Sequence, residues 1–248
     1  MMDVLIVHYN TPELTAAAIR SLWKHTPAAR VTIFDNSDSR PFGQIENGKL
    51  KIENDGKDKL SIINYQLSIL DNTHGQYVNW QEWLSTFPNK IPGSVNNYGS
   101  AKHCYSVELC LDRFPEGFIL MDSDVLIKQD ITGFCQKQVP WVGWTKHTPR
   151  SWGPIVWRVV PFLCWINTPL LKQHGIRYFS RKKMGGLVSG LTERCYDTGC
   201  YFLEACERKG LHGQCVGLAD YIEHYGHASW HQHGDHNQWL QEHRELWE

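Results

Sequence analysis

Residues Phe118–Ile127 read FILMDSDVLI: a short apolar run, an Asp-Ser-Asp turn and a second apolar run. A short apolar run bounded by turn residues is typical of a buried strand. Because burying an unpaired charge costs too much free energy, two carboxylates at the end of such a strand are expected to bind a positively charged group. Residues i and i+2 of an extended segment point the same way, so Asp122 and Asp124 can share one cation while Ser123 faces away. A surface turn explains the same tripeptide, and the pattern alone leaves both open.

Length and composition restrict the class of protein. The chain has 248 residues, 42% hydrophobic and 21% charged, which is typical of a globular protein with one large α/β domain or at most two small ones. The formal net charge of −1 gives no field that would recruit nucleic acid, so no nucleic-acid partner is expected. The chain contains no run of about eighteen apolar residues, so no integral membrane segment is expected. Residues 1–4 lack the basic start of a signal peptide. We therefore expect a cytoplasmic protein, at most peripheral to the inner face of a membrane.

Cysteine spacing indicates thiols and not a metal site. None of the eight cysteines forms a Cys-x-x-Cys pair, so a structural zinc is not indicated. In a chain of this length with no secretion signal we expect reduced, mostly buried thiols. The eight are Cys104, Cys110, Cys135, Cys164, Cys195, Cys200, Cys206 and Cys215.

The order of apolar runs and helix starts predicts an α/β fold. Val4–Val7 is a strand, and Thr11–Glu13 is a helix start with Thr as N-cap and Pro in the first turn. Val31–Phe34 is the next strand, and the apolar spacing of Cys104–Phe114 predicts a helix just before the strand that begins at Phe118. Near-continuous apolar strands alternating with helices imply a mostly parallel central sheet with helices on both faces.

The strand ends predict the position of a ligand. In open α/β sheets ligands bind outside the carboxyl ends of the strands, so the loops at Tyr9, Asp35 and Asp122 are expected to lie side by side. The glycine fingerprints of dinucleotide sites and P-loops are absent after the first strand, where the chain reads VHYNT. Tyr9 can instead stack on a base, and Asp35 can hydrogen-bond the base or the ribose.

The acidic pair suits a hard divalent cation. Carboxylate oxygens are the ligands that Mg²⁺ and Mn²⁺ prefer, and Mn²⁺ also accepts an imidazole. Such sites usually keep positions for phosphate oxygens, which fits a nucleoside-diphosphate ligand. Of the histidines that crowd the late segment, His224 and His227 are the alternatives for completing the site with Asp122 and Asp124.

Taken in order, six segments resemble those of the GT-A fold glycosyltransferases, in the large inverting group called family 2. The similarity extends over most of the chain, and the family usually has asparagine where this chain has His103. The segments are VLIVHYN at 4–10, IFDNS at 33–37, NYGSAKH at 97–103, MDSD at 121–124, YDTG at 196–199 and HYGHAS at 224–229.

The resemblance implies a set of roles. It implies one GT-A domain over residues 1–248, with 1–127 as the nucleotide-binding half and 128–248 as the acceptor-side half. It implies Mn²⁺ or Mg²⁺ held by Asp122 and Asp124, with Asp124 the more direct ligand and His224 and His227 as alternatives for a histidine ligand. It implies a nucleotide-sugar donor, a UDP-sugar being the commonest, and a glycan or lipid-linked sugar acceptor. The implied nucleotide-binding residues are His8, Tyr9, Asn10, Asp35, Asn97, Gly99, Lys102, Asp122 and Ser123.

The leaving group decides how many catalytic carboxylates are needed. A glycosidase needs a second acid to protonate the departing sugar oxygen, whereas a nucleoside diphosphate leaves as an anion that a metal can neutralise. One base then suffices, and we assign it to Asp197 at a helix start, the alternative being a mere N-terminal acid of that helix. Two other functions stay open: a sugar nucleotidyltransferase, and a non-catalytic GT-A-like carbohydrate-binding domain.

Tryptophans between residues 141 and 165 have two interpretations. Aromatic residues are most often core, and we expect this of Trp157 and Trp165. Sugar C–H faces also stack on aromatic rings, so Trp141, Trp144 or Trp152 can line the acceptor side.

Overall fold

The computed structural model describes residues 2–37, 42, 60–64, 98–148, 154–180, 183, 196–226 and 236–248. The predicted site residues Asn97 and His227, and the tryptophan Trp152, lie outside these ranges. Among the described residues, no helix is long and apolar enough to cross a membrane.

The first half of the chain builds the parallel part of the main sheet. Strand β1 pairs in parallel with β2 on one side and with β4 on the other, and β2 pairs in parallel with β3. The predicted order of strand, helix and strand is therefore confirmed. The elements are β1 (Met2–His8), α1 (Pro12–His25), β2 (Ala29–Asp35), β3 (Leu60–Asn64), α2 (Tyr98–Cys110) and β4 (Phe118–Asp122).

The second half adds an antiparallel edge and a small second sheet. Strand β7 runs antiparallel to β4 and to β6, and β8 pairs in parallel with β6. Strand β5 pairs with β9 in a separate two-stranded sheet. The elements are β5 (Val125–Ile127), β6 (Trp141–His147), β7 (Trp157–Ile166), α3 (Thr168–Gln173), α4 (Cys200–Arg208), β8 (Gln214–Cys215), β9 (Ile222–His224), α5 (His236–Glu242) and α6 (Arg244–Trp247).

Among the described residues the main sheet therefore has the order β3-β2-β1-β4-β7-β6-β8. Apolar side chains of α1, such as Ile19 and Leu22, share one core with Val4 and Ile6 of β1. Residues of α2 and α4, such as Val107 and Phe202, share the other core with the opposite face of the sheet. Helices thus cover both faces, as the sequence predicts, because successive strand residues alternate between two apolar layers.

Two sequence expectations differ from the structure. The sequence predicts one short surface helix from Asn237 to Glu248, whereas the structure has two, α5 and α6, on either side of His243. The expectation that Trp157 is core is wrong: 55% of it is exposed, whereas Trp165 is buried. Trp157 is the first residue of β7, opposite His147 at the end of β6, and it lines an open groove beside α4 instead of packing into a core.

Candidate active site

Three strand ends meet at one edge of the main sheet. The register pairs His8 of β1 with Asp35 of β2, and Val7 of β1 with Asp122 of β4. Because these strands are parallel, the loops that follow them open on the same side, as the rule for open α/β sheets predicts. The Asp-Ser-Asp turn is therefore a strand-end loop beside the first two loops of the chain.

Asp122, Asp124 and His224 form a cluster at this edge. One ligand atom from each side chain can be chosen so that all three lie within 4.8 Å of one another. The pairing of Val125 with His224 between β5 and β9 brings the histidine to the turn. Two carboxylates and an imidazole are a suitable donor set for a Mn²⁺-like divalent cation. The three residues present therefore fit the metal that the sequence predicts.

Asp124 is held from both its main chain and its side chain. Its carbonyl oxygen accepts a hydrogen bond of 3.1 Å from the amide of Tyr225, and Oδ2 accepts one of 3.2 Å from the amide of Gly226. Oδ1 lies 3.4 Å from Nε2 of His224. Asp124 is only 7% exposed, so this carboxylate is fixed in place before any ligand binds.

The environment of His224 favours its charged form. Burial by itself disfavours the imidazolium, but the hydrogen bond and the charge of Asp124, with the further charge of Asp122, outweigh it and raise the pKa of His224. The ring of Phe162 packs against the imidazole with centroids 3.8 Å apart, which fixes the orientation of the ring.

His103 approaches the same cluster from α2. Its Nε2 lies 3.4 Å from Oδ1 of Asp122. Both ring nitrogens are buried and have no hydrogen-bond partner among the described residues. A buried imidazole without partners beside a carboxylate can bond to a group that enters the site, so His103 belongs to the candidate site although the sequence assigned it no role.

The predicted base-binding side is built from the first two loops and α2. Tyr9 is 36% exposed, and Nζ of Lys102 lies 5.7 Å from the centroid of its ring. Lys102 also donates a 2.9 Å hydrogen bond to the carbonyl of Asn36. Asn10 has a positive φ of 54°, and its amide donates to Oγ of Ser37 at 2.9 Å. The structure thus brings Tyr9, Asn10 and Lys102 together.

His8 and Asp35 turn inward and shape these loops. His8 is fully buried, and its Nδ1 lies 2.7 Å from Oγ1 of Thr15 in α1. Asp35 is nearly buried, and its carboxylate accepts hydrogen bonds from the amides of Ser37 and Phe42 at 2.9 and 2.8 Å. His8 is thus tied to α1, whereas Asp35 holds the backbone of the second loop. The carboxylate of Asp35 can contact a nucleotide only through the oxygen lone pairs that its two amide bonds leave unused.

The other predicted nucleotide-binding residues lie near the same edge. Oγ of Ser123 is 3.4 Å from Oγ1 of Thr11 at the start of α1. Gly99 is in the first turn of α2, exposed and with open space where a side chain would be.

Asp197 is linked by a hydrogen bond to Ser100, which stands one helical turn before His103 on α2. Oδ1 of Asp197 accepts hydrogen bonds from the hydroxyl of Ser100 at 2.6 Å and from the amide of Thr198 at 2.7 Å. Oδ2 pairs with the guanidinium of Arg158 on β7. The carboxylate is mostly buried and three residues before the first residue of α4. It is therefore positioned by bonds from three different parts of the chain.

Sequence reasoning missed Arg158 and Ser100. Arg158 lies in a strand whose other residues are mostly apolar or aromatic, and only the long-range packing of β7 against the segment before α4 shows its partner. Ser100 and His103 stand i and i+3 in the first turns of α2, but the predicted helix covers only Cys104–Phe114, so helical spacing did not connect these two residues.

Comparison with known proteins was carried out on sequence and on structure. Neither protein-family models nor curated protein sequences give a match to this chain. Solved structures do match, and they identify the architecture as the GT-A fold of nucleotide-diphospho-sugar transferases.

One match is the galactosyltransferase LgtC in complex with donor and acceptor sugar analogs, with a TM-score of 0.53 and 12% identity over 99% of this chain and 95% of LgtC. Another is the mannosyltransferase PcManGT from Pyrobaculum calidifontis in complex with GDP-Man and Mn²⁺, with a TM-score of 0.49 and 12% identity over 99% of this chain and 61% of that one. A third is S. aureus TarS, with a TM-score of 0.48 and 13% identity over 90% of this chain and 36% of that one.

Proposed function

We propose that this protein is a divalent-metal-dependent glycosyltransferase. It moves a sugar, with inversion, from a nucleotide-sugar donor to a hydroxyl of a glycan or of a lipid-linked sugar. What supports this most is the cluster of Asp122, Asp124 and His224 at the strand-end crevice of a GT-A fold. In such a fold the carboxyl edge of the parallel strands is where a nucleotide is expected.

The donor nucleotide is proposed to lie along the loops after β1 and β2. Tyr9 offers an exposed ring for the base, and Lys102, beside that ring, offers the positive charge. Asp35 and His8 keep these loops in shape, with Asn10, Asn97, Gly99 and Ser123 along the path to the diphosphate. We expect a UDP-sugar, since UDP is the commonest donor nucleotide in the family that the sequence resembles.

Asp122, Asp124 and His224 are proposed to hold Mn²⁺ or Mg²⁺, with His227 as a further candidate ligand. A bound divalent cation neutralises the diphosphate as it leaves, so no protein acid is needed on that side. The chain contributes by fixing the ligands: the amide of Gly226 and the imidazole of His224 both hold the carboxylate of Asp124.

Asp197 is proposed to take the proton from the acceptor hydroxyl. The acceptor oxygen bonds to the anomeric carbon as the bond from that carbon to the diphosphate oxygen breaks, and the nucleoside diphosphate departs. The hydroxyl proton goes to the carboxylate of Asp197. For this, the acceptor hydroxyl has to share or replace the position of the Ser100 hydroxyl on Oδ1, because Oδ2 is paired with Arg158.

Ligand-dependent thermal stability tests the proposal against its two alternatives. A transferase of this kind is expected to melt at a higher temperature with UDP, GDP or dTDP, and the increase is expected to need Mn²⁺. A sugar nucleotidyltransferase is expected to respond instead to a nucleoside triphosphate and a sugar 1-phosphate. A non-catalytic carbohydrate-binding domain is expected to respond to saccharides alone. The absence of a metal-linked increase with every diphosphate would exclude the proposed function.

A further inference from the structure

A groove separate from the metal cluster lies between α4 and the β6–β8 edge of the main sheet. It has a cavity volume of about 320 Å³. Leu203 and Glu207, which are four residues apart and so on one face of α4, form one wall. The rest of the lining comes from the sheet and from the segment that leads into β8: Trp141, Thr145, Trp157, Leu211, His212, Gly213 and Cys215.

Trp157 forms an open aromatic surface at one end of this groove. It is 55% exposed, and His147 meets its ring nearly at right angles, with centroids 5.6 Å apart. The T-shaped contact fixes the plane of the indole while one face stays open to solvent. Because Trp157 shares this groove with a second indole, that of Trp141, instead of standing alone on the surface, its exposed area suits a ligand with an apolar face.

Trp141 forms the floor at the other end. It is buried, and its Nε1 has no hydrogen-bond partner among the described residues. The backbone of Gly213 lies so close that a Cβ there would be 2.1 Å from two ring atoms. Because Trp141 opens β6 and Trp157 faces the last residue of β6, the backbone positions of the two residues are roughly 20 Å apart along the strand.

Polar groups stand along the walls between the two indoles. Glu207 and His212 are both exposed, and neither side chain has a hydrogen-bond or ion-pair partner in the part of the chain that the structure describes. The hydroxyl of Thr145 lies 3.6 Å from Sγ of Cys215 and has capacity for a further bond. Flat aromatic surfaces combined with unpaired donors and acceptors match the chemistry of a sugar ring, which has apolar C–H faces and a hydroxyl rim.

The groove is connected to the proposed catalytic base through β7 and α4. Trp157 immediately precedes Arg158, which pairs with Asp197, and the segment from Asp197 runs directly into α4. We propose that this groove binds the acceptor as an oligosaccharide, with Trp157 under a ring near the transfer site and Glu207 and His212 bonding to hydroxyls. This assignment of the acceptor rests on the proposed function, but saccharide binding by the groove does not.

Fluorine NMR of the full chain labelled with 5-fluorotryptophan tests the groove directly, with neither nucleotide nor metal present. The Trp157 signal is assigned as the one missing from Trp157→Phe. Lactose, maltotriose and N,N′,N″-triacetylchitotriose are titrated up to about 50 mM, above the millimolar Kd of a weak site. We expect at least one of them to shift the Trp157 signal saturably.

Two pairs of variants separate the groove from general damage to the protein. Trp157→Ala, which is followed by isothermal titration calorimetry because it lacks the Trp157 signal, and Glu207→Gln, which is followed by that signal, are each expected to weaken saccharide binding about tenfold. The matched controls are Ile155→Ala and Glu204→Gln. Ile155 is another exposed apolar residue, just before β7, and Glu204 is a carboxylate on the same helix that accepts a hydrogen bond from Tyr196 instead. Both controls are expected to bind as the parent does.

Three results would overturn the proposal. One is a Trp157 signal that none of the three saccharides moves. Another is unchanged binding in Trp157→Ala. The third is a Trp157 signal that shifts with protein concentration together with a doubled mass in solution, which would make the groove a contact between copies. If saccharides bind but the chain transfers no sugar, the groove stands and the proposed function fails.

Discussion

Nε2 of His224 lies 3.4 Å from Oδ1 of Asp124, although the two residues are far apart in the sequence. Strands β5 and β9 bring them together, and Phe162 packs against the imidazole. A histidine held against a carboxylate that already accepts a backbone amide has the geometry that the proposed metal site needs before any ligand binds. The raised pKa of His224 has the same cause, because the carboxylate stabilises the positive imidazolium.

The first prediction concerns the ligands themselves. Asp124→Ala and His224→Ala are each expected to lower Mn²⁺ affinity by at least about 100-fold, because each removes a donor from the cluster. Mn²⁺ binding is measured by EPR or calorimetry at constant pH. His174→Ala is the control, since His174 follows α3 at the opposite end of the sheet. Equal affinity in His224→Ala and the control would remove His224 from the site.

The second prediction concerns His103. If this imidazole orients Asp122, then His103→Ala is expected to weaken Mn²⁺ binding by about tenfold, less than loss of a direct ligand does. His103→Asn keeps a donor and is expected to lose less affinity than His103→Ala. The alternative is that His103 contacts the diphosphate only. In that case both variants bind the metal normally and lose affinity for nucleotide alone.

The third prediction concerns the pair of Asp197 and Arg158. Asp197→Asn is expected to retain nucleotide binding and to lower kcat by about 100-fold or more, because the base is lost. It is also expected to lower stability by up to about 3 kcal/mol, since Arg158 is left without its counter-charge. Kinetics and urea unfolding measure the two effects separately.

Arg158→Gln decides whether Asp197 is a base or only an anchor for the arginine. This variant breaks the same ion pair but keeps the carboxylate, so it is expected to lose a similar amount of stability and much less activity. Equal losses of kcat in the two variants would show that Asp197 has a structural role.

Features set by neighbouring residues in the chain could be predicted from the sequence, whereas features set by contacts between distant segments could not. The turn after β4 was predictable because an apolar run fixes a strand, and parallel strands place their ends at one edge. The same holds for the loops at Tyr9 and Asp35. Arg158 was not predictable, because only the packing of β7 determines its partner. Trp157 was assigned to the core because most aromatic residues are buried, whereas its exposure follows from the open groove that it lines beside α4, which only the folded structure shows.

The fourth prediction concerns the thiols. Burial raises the pKa of Cys110 and of Cys206 to about 12, and it also raises the pKa of Cys104 and Cys164. A buried neutral thiol does not react, so these four are expected to resist Ellman's reagent until the protein unfolds. Exposed Cys215 is expected to react in the native protein.

Cys215→Ser is therefore expected to remove one fast-reacting thiol per chain and leave the slow ones unchanged. Rapid reaction of all thiols in the native protein would contradict the burial of the cores on both faces of the sheet.

The fifth prediction compares two glycines that flank α4. Both have positive φ, 81° at Gly199 and 69° at Gly210, so alanine is strained at either by about 1–2 kcal/mol. They differ in the space around the added carbon: a Cβ at Gly199 would lie 1.9 Å from the carbonyl oxygen of Val159, whereas nothing lies within 4 Å of one at Gly210.

Gly199→Ala must therefore displace the segment of Asp197 from β7. Chemical denaturation is expected to show a clearly larger loss for Gly199→Ala, and with it a loss of transfer activity that Gly210→Ala does not share. Equal losses of stability and activity would mean that the contact with Val159 does not position Asp197.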